Sequence, residues 1–370
     1  MNLCFILEAV VLPSTANRGI LCVTRYARGT RMISIRKLAE IAGVSTTTVF
    51  RALHNTGRIK PETRQRLLEL AALYAYQPPA LAPSRSRFVG CLMSRLDVPF
   101  NAQLLRGISE ALFAESYYLT VQESHCNLLH TRTAFQTFAD LDVCGVIALS
   151  GHYEPIPTQS IFLLRGKGIP FVAVDASTPT TVPVDRVMSN EDAIAEIALE
   201  YLLALGHRRI GYLGPPVSGE HGRSTAVLRA MKKRGVPPDH FLDIVPVPWL
   251  SYRQDPHCAE RLRDCLSGPR RPTAIFTFSD DMGMFVLKMA LRLGLRVPRD
   301  VSVLGCSNFT LCDDFVIPLT SIEQFPDEIG RCAVRLLLAR MTEQTADHHA
   351  TTHCIAPRLV MRESCARVPR

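Results

Sequence analysis

The residues with the clearest capacity for chemistry lie near the start of the 370-residue chain. Arg36, Lys37, Arg51, Arg58, Lys60 and Arg64 cluster there, interleaved with the hydroxyls of Ser34, Ser45, Thr46, Thr47 and Thr48. Guanidinium and ammonium groups neutralise phosphates, and short hydroxyls bond phosphate oxygens or base edges. Residues 32–87 hold nine Lys/Arg against three Glu, and residues 1–31 hold four Arg against one Glu. Residues 88–370 hold 29 Lys/Arg and 30 Asp/Glu, so the net charge of +8 sits in the first quarter of the chain. A basic module on a near-neutral body fits a polyanion-binding head. A solvated basic face without a partner would show the same excess.

Catalytic signatures are missing. There is no G-x-x-x-x-G-K-[ST] phosphate loop, no G-x-G-x-x-G fingerprint and no G-x-S-x-G elbow. His348, His349 and His353 lie in a Thr-rich polar stretch and are expected in a solvated loop rather than around a metal. The 12 cysteines contain no C-x-x-C and many sit in apolar runs, which predicts free buried thiols in a reducing compartment.

The basic residues need a frame, and the sequence supplies one. Ser34 can cap a helix whose apolar positions are Ile35, Leu38, Ala39 and Ala42. Gly43 ends it with a tight turn. Ser45 can cap a second helix with Val49 and Leu53 on its inner stripe. Pro61 suits the first turn of a third, with Leu67, Leu70, Ala71 and Tyr74 as its apolar face, stopped by Pro78 and Pro79. Two short helices joined by Gly-Val-Ser, with a third in support, make a helix-turn-helix.

Residues 80–87 are a polar linker, and from Phe88 the pattern alternates between short apolar runs and helices. Strands are expected at 88–93, 119–123, 143–149, 171–174, 210–213, 274–277 and 301–305. Helices are expected at 103–115, 192–205, 223–234 and 283–293. This alternation predicts parallel sheets with crossover helices, and two such lobes with a ligand cleft between them. No run of 18 apolar residues occurs. The segment 3–12 contains Glu8 and lacks a basic residue before it, so neither a membrane span nor a signal peptide is expected. Residues 1–31 show no clean period, whereas Met32 opens the patterned segment. One reading starts translation at Met32, and intact mass of the natively expressed protein tests it.

The run SIRKLAEIAGVSTTTVFRALHN (34–55) resembles the headpiece of the lactose-repressor/purine-repressor family of bacterial transcription regulators. The resemblance continues through YLLALGHRRIGYLGPP (201–216), PTAIFTFSDDMGMFVLKMALRLGLRVPRDVSVLG (272–305), LTSIEQF (319–325) and LVMRES (359–364). It runs in the family's order over Met32 to Ser364. It implies an α plus α/β fold. A helix-turn-helix headpiece (32–78) would lead through a shortened hinge (79–87) into a two-lobed, periplasmic-binding-protein-like core (88–370). The core chain would cross between lobes near 184, 319 and 355.

The resemblance also implies roles. Thr46 and Thr47 match the two positions used for base selection, and Thr48 and Arg51 match further DNA contacts. Ser34 and Ser45 match phosphate contacts, although each also fits a helix cap. Phe50 stands where a small polar residue is usual, and His54 where Asn is common. About four residues are missing from the hinge, Pro83 falls where its helix would run, and Leu81 is the only large aliphatic side chain left there. A standard hinge helix is therefore not expected, while Arg85 and Arg87 can still touch phosphates. In the cleft, Arg223 matches the arginine that anchors the effector. Asp175 and Asp280 match carboxylates that accept from hydroxyls or hold the cleft together. Trp249 matches a stacking aromatic, and Phe100 falls on the first loop over the ligand. Ser279 replaces a usual Asn. Ser307, followed by Asn308, stands where an Asp commonly holds ligand hydroxyls.

The implied protein is a cytoplasmic, sequence-specific DNA-binding regulator. It would be a repressor and homodimer on operator DNA, controlled by a small-molecule effector, with carbohydrate the leading class. No enzyme activity, cofactor, metal or membrane partner is expected. Three alternatives remain open at this stage: a secreted solute-binding protein, an enzyme with a regulatory head, and a DNA binder whose altered cleft senses nothing.

Overall fold

The computed structural model describes residues 35–53, 59–74, 86–149, 156–174, 182–217, 222–239, 241–243, 249–342 and 349–368. Contacts divide the chain into two compact units, Met1–Ser84 and Arg85–Arg370. The expectations placed on residues 1–34, His54, Arg58, Pro78, Pro79, Leu81, Pro83, Arg85, Asp175 and His348 lie outside the described residues.

The first unit holds α1 (Ile35–Ala42), α2 (Thr46–Leu53) and α3 (Pro61–Leu73). Leu38, Ala39 and Ala42 from α1, Val49 and Ala52 from α2, and Leu67 and Ala71 from α3 form one buried cluster. Gly43 adopts φ +68, a conformation that glycine reaches without penalty, and so lets the chain turn directly into α2. Tyr74, expected on the apolar face of α3, is exposed instead. It follows the last helical residue, where the helical period no longer sets its direction.

In the second unit, the first lobe is built on β1 (Phe88–Met93), β2 (Tyr118–Glu123), β3 (Gly145–Leu149), β4 (Phe171–Val174), β5 (Asp185–Ser189) and β11 (Thr352–Ile355). All pair in parallel, in the order β11-β5-β4-β3-β1-β2. Its helices are α4 (Pro99–Ala114), α5 (Leu128–Asp140), α6 (Thr158–Gly166) and α11 (Pro326–Thr342). β3 and β4 are buried at every position, as strands covered on both faces must be.

The second lobe holds β6 (Ile210–Gly214), β7 (Phe241–Asp243), β8 (Ala274–Thr277), β9 (Ser302–Cys306), β10 (Thr320–Glu323) and β12 (Arg358–Val360), in the order β12-β10-β9-β8-β6-β7. Only β12 runs antiparallel to its neighbour. Here α7 (Glu191–Ala204) packs on α8 (Arg223–Lys233), and α9 (Pro256–Ser267) on α10 (Asp280–Arg292).

The chain passes from the first sheet to the second after Ser189, returns after Glu323, and passes again after Ile355. The first two passages fall a few residues later than the expected 184 and 319. β5 and β10 each complete their pairing before the chain leaves the sheet. His353, expected in a loop, stands on the exposed edge strand β11.

The C-terminal segment is tied back to the second lobe. His207 is buried, with Nδ1 2.9 Å from the Thr273 hydroxyl and Nε2 3.1 Å from the Ala366 carbonyl. A carbonyl only accepts, so the neutral ring carries its proton on Nε2. Burial holds the His207 pKa below its ordinary 6.5, partly offset by the bond to Ala366. The unfolded chain then binds this proton at a higher pH than the folded chain. The contribution of His207 to stability is present above about pH 6.5 and is lost as pH falls through the depressed value. Unfolding free energy is expected to decline on acidification with a slope from this group of at most about 1.4 kcal/mol per pH unit. Urea titrations at stepped pH, compared with His207→Gln, check this, since the variant lacks that component of the slope.

Candidate nucleic-acid interface and ligand cleft

In the head, Ser45 is fixed by its own helix. Its Oγ accepts from the Thr48 amide at 3.1 Å and lies 2.8 Å from the Thr48 hydroxyl, a side-chain cap on the first turn of α2. Ser45 and Thr48 thus engage each other, while Thr46, Thr47 and Arg51 are exposed on the same helix. Val49 and Ala52 turn inward. Short hydroxyls and one guanidinium on an exposed helix, opposite an apolar anchor, are what a major-groove reader requires.

In the core, the loops at the carboxyl ends of both parallel sheets wall a cavity of about 570 Å³. From the first lobe come Arg95, Asp97, Val98, Pro99 and Gln103; from the second, Tyr252, Arg253, Asp281, Met284 and Phe309. Arg95 meets Asp97 through Nε at 2.8 Å and Nη2 at 2.5 Å. The Tyr252 hydroxyl donates to Asp281 at 2.9 Å and accepts from Arg253 Nε at 3.1 Å. The charges on the walls are therefore matched in each lobe.

Arg223 lies at the start of α8 and is not among the residues lining that cavity. It is 4% exposed and donates through Nε and Nη2 to the two carboxylate oxygens of Glu191, at 2.6 and 2.9 Å. Nη1 donates to the Phe278 carbonyl at 2.5 Å, and the guanidinium stacks 4.6 Å from the centre of the Phe278 ring. Burial opposes the charge, but Cys306, Glu191 and Tyr212 hold the Arg223 pKa well above its ordinary range. Glu191 opens α7 immediately after the first passage between lobes and was not foreseen. In the sequence it is one of two acids at a helix start, which the helix dipole alone would explain.

Asp280 is fully buried at the start of α10. It accepts from the Phe309 amide at 2.8 Å and the Ser321 hydroxyl at 2.5 Å. Burial raises its pKa to about 6, although the bonds from Ser321, Phe309 and Cys312 favour its charge. Its bonds thus join β10 to the loop after β9. Ser307, on that loop at φ 115, donates to Gln324 Oε1 at 2.9 Å, and Gln324 Nε2 donates to Ser189 Oγ at 2.8 Å. This relay joins the two passages between lobes. Gln324 falls inside the recognised run LTSIEQF, so a signal for it was present.

Phe100 corrects the expectation placed on it. It does not cover the cleft. Pro99 starts α4, and the i, i+4, i+8 spacing then turns Phe100, Leu104 and Ile108 together into the core. Trp249 opens a 3₁₀ turn, Trp249–Arg253, whose later residues line the cavity; its ring lies outside the described atoms. Ser279 is buried, and among the described residues its hydroxyl has no hydrogen-bond partner, not even the helix end it precedes.

A helix-turn-helix head joined to a two-lobed core with a polar cleft at the sheet ends defines a class: DNA-binding regulators built on a periplasmic-binding-protein-like core. Residues 34–79 match the family model described as bacterial regulatory proteins, lacI family, and residues 199–365 match the periplasmic binding protein-like domain. The chain is 30% identical over 346 residues to the HTH-type transcriptional repressor PurR of Edwardsiella ictaluri, covering 91% of this chain and 98% of that one. A solved complex of the transcriptional regulator CelR with cellobiose is 25% identical, with TM-score 0.64 over 90% of this chain and 99% of that one. The lac repressor dimer bound to operator and the anti-inducer ONPF shares the fold at 21% identity, with TM-score 0.65 over 91% and 100% of the two chains. The chain belongs to the lacI family of bacterial regulatory proteins and is a DNA-binding transcription regulator of that type. Among the described residues no helix is long and apolar enough to cross a membrane.

Proposed function

We propose that the protein is a cytoplasmic, homodimeric repressor that reads operator DNA through Thr46, Thr47, Thr48 and Arg51 and is not an enzyme. Its affinity for DNA would be set by a carbohydrate-like effector in the cleft. The observation that carries the effector is the cavity of about 570 Å³ walled by both lobes. A ligand that grips both walls favours one lobe arrangement over another and so shifts a two-state equilibrium. The charges that line the cavity, Arg95 with Asp97 and Arg253 beside Asp281, are already matched within each wall, which supports a neutral polyol over an acid. Self-association is supported by the apolar groove lined by Met284, Leu287, Leu291, Phe315, Val316 and Ile317, where Val316 is 91% exposed.

The full chain is titrated into labelled DNA from upstream of its own gene, against a scrambled duplex, at two salt concentrations. Binding at least about 10³-fold tighter than to the scramble is the expected result. Arg51→Ala should weaken it by about 1–3 kcal/mol. Equal, steeply salt-dependent binding to both duplexes would remove the claim of sequence reading. For the cleft, a thermal-shift panel of sugars is expected to yield a ligand that adds about 2.7 kcal/mol at 100 times its Kd. Stabilisation by carboxylic acids alone would overturn the polyol reading.

A further inference from the structure

We infer that Phe50 belongs to the base-reading surface of α2 and makes that surface a reader of the thymine 5-methyl group. The inference rests on the reading of α2 as the recognition helix. Successive helical residues are about 100° apart around the axis, so Phe50 projects between Thr46 and Thr47, roughly 40° from the first and 60° from the second. Helical side chains also lean toward the N-terminus, so the ring covers the turn carrying Thr46 and Thr47 rather than its own. No surface can present both threonines to a groove without presenting Phe50 between them. The ring is 40% exposed, whereas Val49 and Ala52 beside it are buried.

The chemistry of this face is specific. Ser45 and Thr48 engage each other's hydroxyls, which leaves Thr46, Phe50 and Thr47 as a phenyl ring flanked by two methyl-bearing side chains. It lacks the amide fork that would pair with adenine, and Arg51 stands at its far side. The apolar feature that the major groove offers is the thymine methyl, and phenylalanine is among the side chains that contact it. Removing one buried methyl should weaken binding roughly fourfold.

The test uses the full chain. Duplexes are first selected from a library with a randomised centre, and each thymine of the enriched half-site is then replaced singly by deoxyuridine, which lacks only the methyl. The expected result is a roughly fourfold loss at one or two positions for the wild type, and no loss there for Phe50→Ser. Phe50→Leu, which keeps an apolar side chain, should retain part of the discrimination. Enriched sites indifferent to deoxyuridine would overturn this inference alone. So would equal losses in the wild type and Phe50→Ser, which would move the methyl contact to the threonines. Failure to enrich any sequence would overturn the sequence-reading function and this inference with it.

Discussion

Glu191→Ala is expected to destabilise the core by about 3–5 kcal/mol, because it leaves the Arg223 guanidinium buried without its counter-charge. Arg223→Leu should cost a similar amount by stranding the carboxylate. The two losses are not additive, since both remove one interaction. The double variant Glu191→Leu/Arg223→Met buries no ion, so it should recover most of the loss. It should not recover all of it. The Phe278 carbonyl then loses the bond from Arg223, a charge-assisted one worth about 1.5–3 kcal/mol, and the stacking on Phe278 is gone. Urea unfolding followed by fluorescence of Trp249, the only tryptophan and a residue of the core unit, measures all four proteins. If each single variant lost under about 1 kcal/mol, the pair would be worth no more than an exposed one. Either single variant should also change the response to an effector, because α7 leaves the passage between lobes through Glu191 itself.

The same pair shows where sequence reading succeeds and where it stops. β1, β4 and β8 were expected with the bounds they have, because strands buried on both faces are unbroken apolar runs. β5 was missed because Asp185 and Arg186 interrupt its apolar character, and Asp185 is held by Arg340, 155 positions away. β10 and β11 carry hydroxyls and a histidine, and their partners rather than their composition make them strands. In the head, Gly43, Ser45 and Pro61 act locally, so their positions were legible. At the passages between lobes, the roles of Glu191, Gln324 and Ser189 depend on segments brought together by the sheets. Phe100 failed for a local reason that was available, since Pro99 begins a helix and the period then decides which way position 100 faces.

The crossing of α4 and α11 gives a case where one substitution type should act with opposite signs. A methyl added at Gly107 would collide with the Asp327 backbone, meeting its carbonyl oxygen and lying 2.7 Å from its Cα. A methyl at Gly330 would lie 2.5 Å from the Leu104 carbonyl oxygen and 2.9 Å from the Ile108 amide nitrogen. Both obstacles are backbone, so no rotamer change relieves them and the helices must separate. Alanine gains up to about 1 kcal/mol in helix propensity, but overpacking costs about 1–3 kcal/mol or more. Packing should win, and Gly107→Ala and Gly330→Ala should each lower stability by about 2 kcal/mol. At Gly166, the last residue of α6, an added methyl meets nothing within 4 Å. There only the propensity remains, and Gly166→Ala should stabilise by a few tenths to about 1 kcal/mol. The double variant at Gly107 and Gly330 should cost less than the sum, since the first methyl already parts the helices that the second would part. The consequence reaches the cleft, because α4 supplies Pro99 and Gln103 to its wall and α11 begins two residues after Gln324. A shift of α11 therefore loosens the Gln324–Ser189 bond between the passages, and the glycines hold the cleft wall and the lobe connection in one register. Equal urea midpoints for Gly107→Ala and Gly166→Ala would contradict this account.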